Sequence, residues 1–117
     1  MDMQARLSGN LRAALASAVE ARVQAIDAAV QKAGLDCEAQ AKQNAPVDTG
    51  FLKNSIHYER TGTARCTVEV GAHYGLFVEL GHLTRDHMSR VPARPFLFPA
   101  YTTTARALRE ALERIMK

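Results

Sequence analysis

At 117 residues with 47% hydrophobic content, the chain can close one small core with little margin, which points to a single domain. Charged residues at 23% and only four prolines exclude a disordered tail, and no apolar run reaches the length that spans a bilayer. The net charge of +3 is too mildly placed for a dedicated nucleic-acid binder: five Lys/Arg against six Asp/Glu through Gly50, ten against six from Phe51 onward, and no dense basic stripe. Met1-Asp2-Met3-Gln4 lacks the basic start and apolar stretch of a secretory signal, so a soluble product of the cytoplasm is expected.

From Leu7, the apolar positions Leu11, Leu15, Val19, Val23, Ile26, Val30, Ala33, Cys37 and Ala41 recur at steps of three or four, one face of an α-helix. Alanine supports the helix throughout. Gly34 costs about 1 kcal/mol and is the expected bend, while Pro46 disfavours helical geometry at Ala45 and ends the helix near Asn44. Unbroken, that helix is about 57 Å long at the usual rise, against a diameter of about 35 Å for a compact domain of this size. Either it breaks or it projects, and a projecting apolar stripe needs a neighbouring subunit to cover it.

After Asp48-Thr49-Gly50 comes a turn at Phe51-Leu52. Alternation at Ser55–Glu59 and again at Cys66–Val70, around Thr61-Gly62-Thr63, predicts an antiparallel hairpin. Tyr74, Phe77 and Val78 fall on one side at helical spacing, which favours a short helix over a buried strand for Tyr74–Leu80. Residues 82–95 are an exposed loop, or within it a hairpin with Asp86 at the tip. A last helix over 96–117 places Tyr101, Ala105, Leu108, Leu112 and Ile115 on one face, with Pro99 in its first turn and solvated Arg/Glu pairs opposite. The expected class is α+β, with a long N-terminal helix (1–44), a turn, hairpin and short segment (45–81), the loop, and a C-terminal helix, the two helices packed on a small antiparallel sheet.

Candidate chemistry is sparse. Asp48-Thr49-Gly50 matches the tripeptide of retroviral-type aspartic proteases, but Lys42-Gln43-Asn44-Ala45-Pro46 precedes it where such a carboxylate needs an apolar strand. Asp48 reads instead as a turn and helix-capping residue, and Gly50 as the source of an unusual φ. His73, Glu79, His82 and His87 form the one cluster of possible metal ligands, and Glu79 and His82 at i,i+3 could share a helix face, but without a His-Glu-x-x-His or a partner sequence they read as solvated or hydrogen-bonded; Cys37 and Cys66 read as two reduced, partly buried thiols. Glu79, between Val78 and Leu80, must reach water or a cation because burying it unpaired costs several kcal/mol; Arg94 before Pro95 is the expected partner, within the subunit or across an interface, the alternative being a Glu79 that faces solvent. Phe96, Leu97, Phe98 and Tyr101 are expected to be core, joining the last helix to the sheet, with an interface role for one of them as the second reading. Arg85 and Arg90, in the loop, are expected to present charge to a partner.

Two passages carry more than any single residue: Ala45-Pro46-Val47-Asp48-Thr49-Gly50-Phe51-Leu52 followed by Ser55-Ile56, and Tyr74-Gly75-Leu76-Phe77-Val78-Glu79-Leu80-Gly81 followed by Arg94-Pro95-Phe96-Leu97-Phe98-Pro99-Ala100. In this order and spacing the chain resembles a family of small tail components of long-tailed bacteriophages and prophages. One position departs from the family pattern, His82 standing where Thr usually follows the Glu-x-Gly. The resemblance implies a virion structural protein of the neck that joins head to tail or completes the tail, assembled in the host cytoplasm through complementary surfaces, with no enzymatic chemistry, cofactor or membrane. It also implies a homo-oligomer, a cyclic hexamer, which contacts adjoining neck and tail proteins while viral DNA passes through without specific binding. The reading from another class is a nucleic-acid-binding module using the basic second half, which would retain DNA in a salt-dependent way.

Overall fold

The computed structural model describes residues 2–46, 50–84 and 87–117, with the backbone alone for 2–9. Helix α1 (Asp2–Asn44) runs uninterrupted for 43 residues, about 64 Å at 1.5 Å per residue. It ends one residue before Ala45, whose N–H still reaches Ala41 O at 2.9 Å. The helix therefore projects, giving the molecule extents of 82 × 21 × 21 Å and a radius of gyration of 21.7 Å, where a compact chain of this length has about 14 Å.

Gly34 does not break the helix. A Cβ there would lie 2.6 Å from Cys66 Sγ and 2.7 Å from Tyr58 Cδ2, so its role is the close approach of the hairpin. That hairpin is β1 (Ile56–Gly62) against β2 (Arg65–Val70), antiparallel in the register Ile56↔Val70 to Gly62↔Arg65, with an irregularity between Arg60 and Gly62. Ile56, Tyr58, Cys66, Val68 and Val70 alternate inward while their neighbours face out, as the period of two requires. The turn itself falls on Thr63-Ala64, one residue later than the sequence suggests, with Ala64 at φ 54°.

Short helices α2 (Phe51–Asn54) and α3 (Gly75–Leu80) flank the hairpin, the second as its helical spacing indicates. Next comes a small arm, β3 (His82–Leu83) paired antiparallel with β4 (Arg90–Val91), and then α4 (Leu97–Met116). Helix α4 starts beside the end of α1, where Asn44 Nδ2 donates to Phe96 O at 3.3 Å, and runs back along α1 until its last turns lie beside Ala29 and Lys32. The architecture is α+β, with α1 as the element on which both the hairpin and α4 pack.

The core is small and sits at the C-terminal end of α1. Cys37, Ala41, Ala45, Leu52, Ile56, Ala72, Phe96 and Ala100 are buried, with Val68, Val70, Tyr74, Val78 and Leu97 packed around them. Among the described residues, Phe96 and Ile56 are the largest fully buried side chains. Alanines at 41 and 100 let α1 and α4 approach closely, and Thr104, also buried, satisfies its hydroxyl on Ala100 O at 2.9 Å. Cys37 lies against Thr104, and burial pushes its thiol pKa up; both cysteines are free.

Candidate functional site

Two sequence motifs far apart in the chain meet at Glu79. Its Oε2 accepts from Phe96 N at 2.9 Å and Leu97 N at 3.0 Å, and its Oε1 from Phe98 N at 2.9 Å. The first turn of a helix leaves four backbone N–H groups without partners. Here three go to one carboxylate and the fourth residue, Pro99, has none to offer. Burial pushes the Glu79 pKa up, but the amides of Leu97, Phe96 and Phe98 outweigh it and hold the carboxyl below its ordinary range.

The partner expected for Glu79 was Arg94, and within the chain it is not the one taken. Arg94 is exposed, and its backbone N–H donates to Val78 O at 2.8 Å, tying the end of the arm to α3. The amides win because they are fixed by the start of α4 and point along its dipole, whereas a guanidinium on the surface gains little over water. Gly81 completes the joint. Its φ is 77°, and a Cβ would sit 2.8 Å from Val91 O and 2.9 Å from Ala93 N, so the Glu-x-Gly spacing serves a cap and a close backbone crossing.

Of the other candidate positions, Phe96 is 1% exposed and anchors α4 in the core. Gly50 holds φ 72° immediately before α2, where open space around its Cβ site shows that conformation is the constraint. Asp48 and Arg85, and Asp86 expected at the tip of the loop, lie outside the described residues. Arg90 is exposed on β4 opposite Leu83. His82 pairs with Val91 and tilts its ring on Phe77 at 5.6 Å, and no three His, Cys, Asp or Glu side chains converge among the described residues. Phe98 and Tyr101 depart from the core reading, being 67% and 60% exposed and lying against each other, while Phe96 and Leu97 keep to it. The arm is less polar than its sequence suggests, since Leu83, Met88 and Val91 are all exposed on it.

Sequence reasoning missed a polar clamp. Asp27, Gln31 and Glu38 lie on the face of α1 that also carries Gly34. Asp27 Oδ1 accepts from Ala64 N at 2.8 Å and Oδ2 from Arg60 Nη2 at 2.9 Å; Gln31 Nε2 donates to Gly62 O and Arg65 O at 3.2 and 3.1 Å. Glu38 accepts from Tyr58 N, and the Tyr58 hydroxyl donates to Gln31. Spacing of four and seven residues between these polar side chains was the available signal. The Ala64 amide, then Gln31 and Arg60, hold Asp27 down to about 2. A depressed carboxylate stabilises the fold above its unfolded pKa and loses that contribution as pH falls toward 2, so Asp27→Asn lowers the melting temperature at pH 7 and leaves it unchanged near pH 2. Melting curves of both proteins from pH 7 to 2 check this.

Two apolar surfaces remain uncovered. Every residue from Asn10 to Gln24 is exposed, including Leu11, Leu15, Val19 and Val23 at 41% to 58%. Farther along, an open groove of about 840 Å³ is floored by Val30, Gly34 and Cys37 of α1, walled by β2 on one side and α4 on the other, and closed by Leu80. No described helix is long and apolar enough to cross a membrane.

Residues 5–81 match the family described as "Bacteriophage HK97-gp10, putative tail-component", and no curated protein and no solved structure matches the chain. The matched stretch covers most of α1, the hairpin and Glu79-Leu80-Gly81, while Arg94–Ala100, which Glu79 caps, lies beyond it. With two thirds of its length matched and an α+β architecture built on a long projecting helix, the chain belongs to the HK97-gp10-like family of phage tail components, structural proteins of the virion.

Proposed function

We propose that the protein is a ring-forming subunit of the phage neck, six copies of which join head to tail or complete the tail. The observation that carries this reading is the Asn10–Gln24 stretch of α1, whose apolar stripe, about 18 Å long from Leu11 to Val23, is left exposed. Exposed apolar surface of this extent marks an interaction site. Its mechanism is assembly through complementary surfaces, with neck and tail proteins above and below the ring and DNA passing through the centre. The arm between α3 and α4 is the surface offered to those neighbours, presenting Arg90 beside Leu83, Met88 and Val91.

Complementation tests it. Particles made without the protein accumulate as separate heads and tails, and the wild-type chain restores joining. Replacing residues 84–89 by Asn-Gly and the exposed Leu83, Arg90 and Val91 by Thr keeps the backbone pairing of β3 with β4 but removes the presented side chains, so thermal stability stays close to wild type while joining is lost. Full particle yield with the shortened arm shows the arm is dispensable.

A further inference from the structure

We propose that the uncovered Asn10–Gln24 stretch of α1 from one copy lies in the groove between β2 and α4 of the next, a head-to-tail joint repeated around the ring. This rests on the ring reading above and names its interface.

Four observations lead to it. The groove follows α4 from Leu97 to Leu112, about 22 Å of helix, and the stripe from Leu11 to Val23 is about 18 Å, so one fits along the other. Leu11, Ala14, Leu15 and Ala18 stand at i, i+3, i+4 and i+7, the spacing of a helix laid in a groove; Val19 and Val23 extend the stripe, and the two alanines allow close approach. The groove meets it with small residues, Ala33 and Gly34 on the floor and Ala105 on the wall. Finally, the stripe cannot fill its own groove: both belong to one unbroken helix, with Val23 and Val30 only about 10 Å apart along it.

The two surfaces can therefore satisfy each other only between copies. Because they are different surfaces, the contact is heterologous, and such contacts close into rings when the rotation allows. Each subunit gives one helix and receives one, so it is held at two joints.

Leu15→Glu damages the stripe, and Tyr101→Glu damages the groove wall; both positions are more than half exposed, so neither disturbs the core. Ala105→Trp is a second groove variant, which obstructs by volume. Sedimentation of the full-length proteins is expected to show that each variant alone needs at least a 100-fold higher concentration to assemble than wild type. A 1:1 mixture of Leu15→Glu and Tyr101→Glu should give dimers and nothing larger, since only one sound joint can form. Assembly by both groove variants as in wild type, with Leu15→Glu alone defective, would mean that stripes pack on stripes, which overturns this joint and leaves the ring intact. A wild-type chain that stays monomeric at high concentration also overturns it, whereas the neck role fails separately if particles join normally without the protein.

Discussion

Gly34→Val destabilises the protein by about 3 kcal/mol, although it removes a glycine from the interior of a helix. Two effects oppose each other. Replacing a mid-helix glycine ordinarily gains up to about 1 kcal/mol of backbone entropy. Against that, a Cβ at Gly34 meets Cys66 Sγ at 2.6 Å and the Tyr58 ring at 2.7 and 2.8 Å, and the ring cannot swing away because its hydroxyl is held by Gln31 while Glu38 holds the Tyr58 amide. Overpacking costs about 1–3 kcal/mol or more, and the branched side chain adds to it, so the steric effect wins. The sign reverses if the obstruction is removed: in a Tyr58→Ala, Cys66→Ala background, Gly34→Ala should become neutral or stabilising. Urea denaturation of the four proteins measures it, and a stabilised Gly34→Val in the native background would mean the hairpin does not pack against α1 at this point.

Glu79→Ala costs about 2–3 kcal/mol, the magnitude of charge-assisted bonds lost from a helix start. Glu79→Gln keeps an acceptor without the charge and falls between. Because the partners are amides, Arg94→Gln combined with Glu79→Gln adds within about 0.5 kcal/mol, and a larger coupling would restore the ion pair that the sequence suggests. Glu79 also contributes to the acid limb of stability: its carboxyl is depressed, so its contribution is present at neutral pH and is lost as pH falls through the folded-state value, and Glu79→Gln flattens the curve in that window.

The parts of the fold legible in the sequence were those governed by one local rule. Heptad-like spacing and Pro46 define α1 and its end, alternation defines β1 and β2, and Tyr74, Phe77 and Val78 place α3 as a helix. The packing role of Gly34 was not legible, because propensity weighs a residue within its own helix, while its neighbours, Cys66 and Tyr58, come from strands more than twenty residues away. Glu79 was correctly singled out as a carboxylate in need of a partner. Its partner was missed because side chains suggest ion pairs, whereas the free donors at the start of α4 are backbone groups that no residue letter displays. Phe98 and Tyr101 were read as core from composition alone. Only the direction of α4, set by Phe96 in the core and Ala100 against α1, shows that they face outward beside the groove.

Native mass spectrometry of the full-length chain across a rising concentration series tests the central claim most directly. A subunit whose long helix carries the uncovered Leu11–Val23 stripe, and whose groove matches it in length, should give one closed species of six copies that stops growing once formed. A monomer at every concentration, with the Leu11–Val23 stripe still exposed to solvent, would contradict the account.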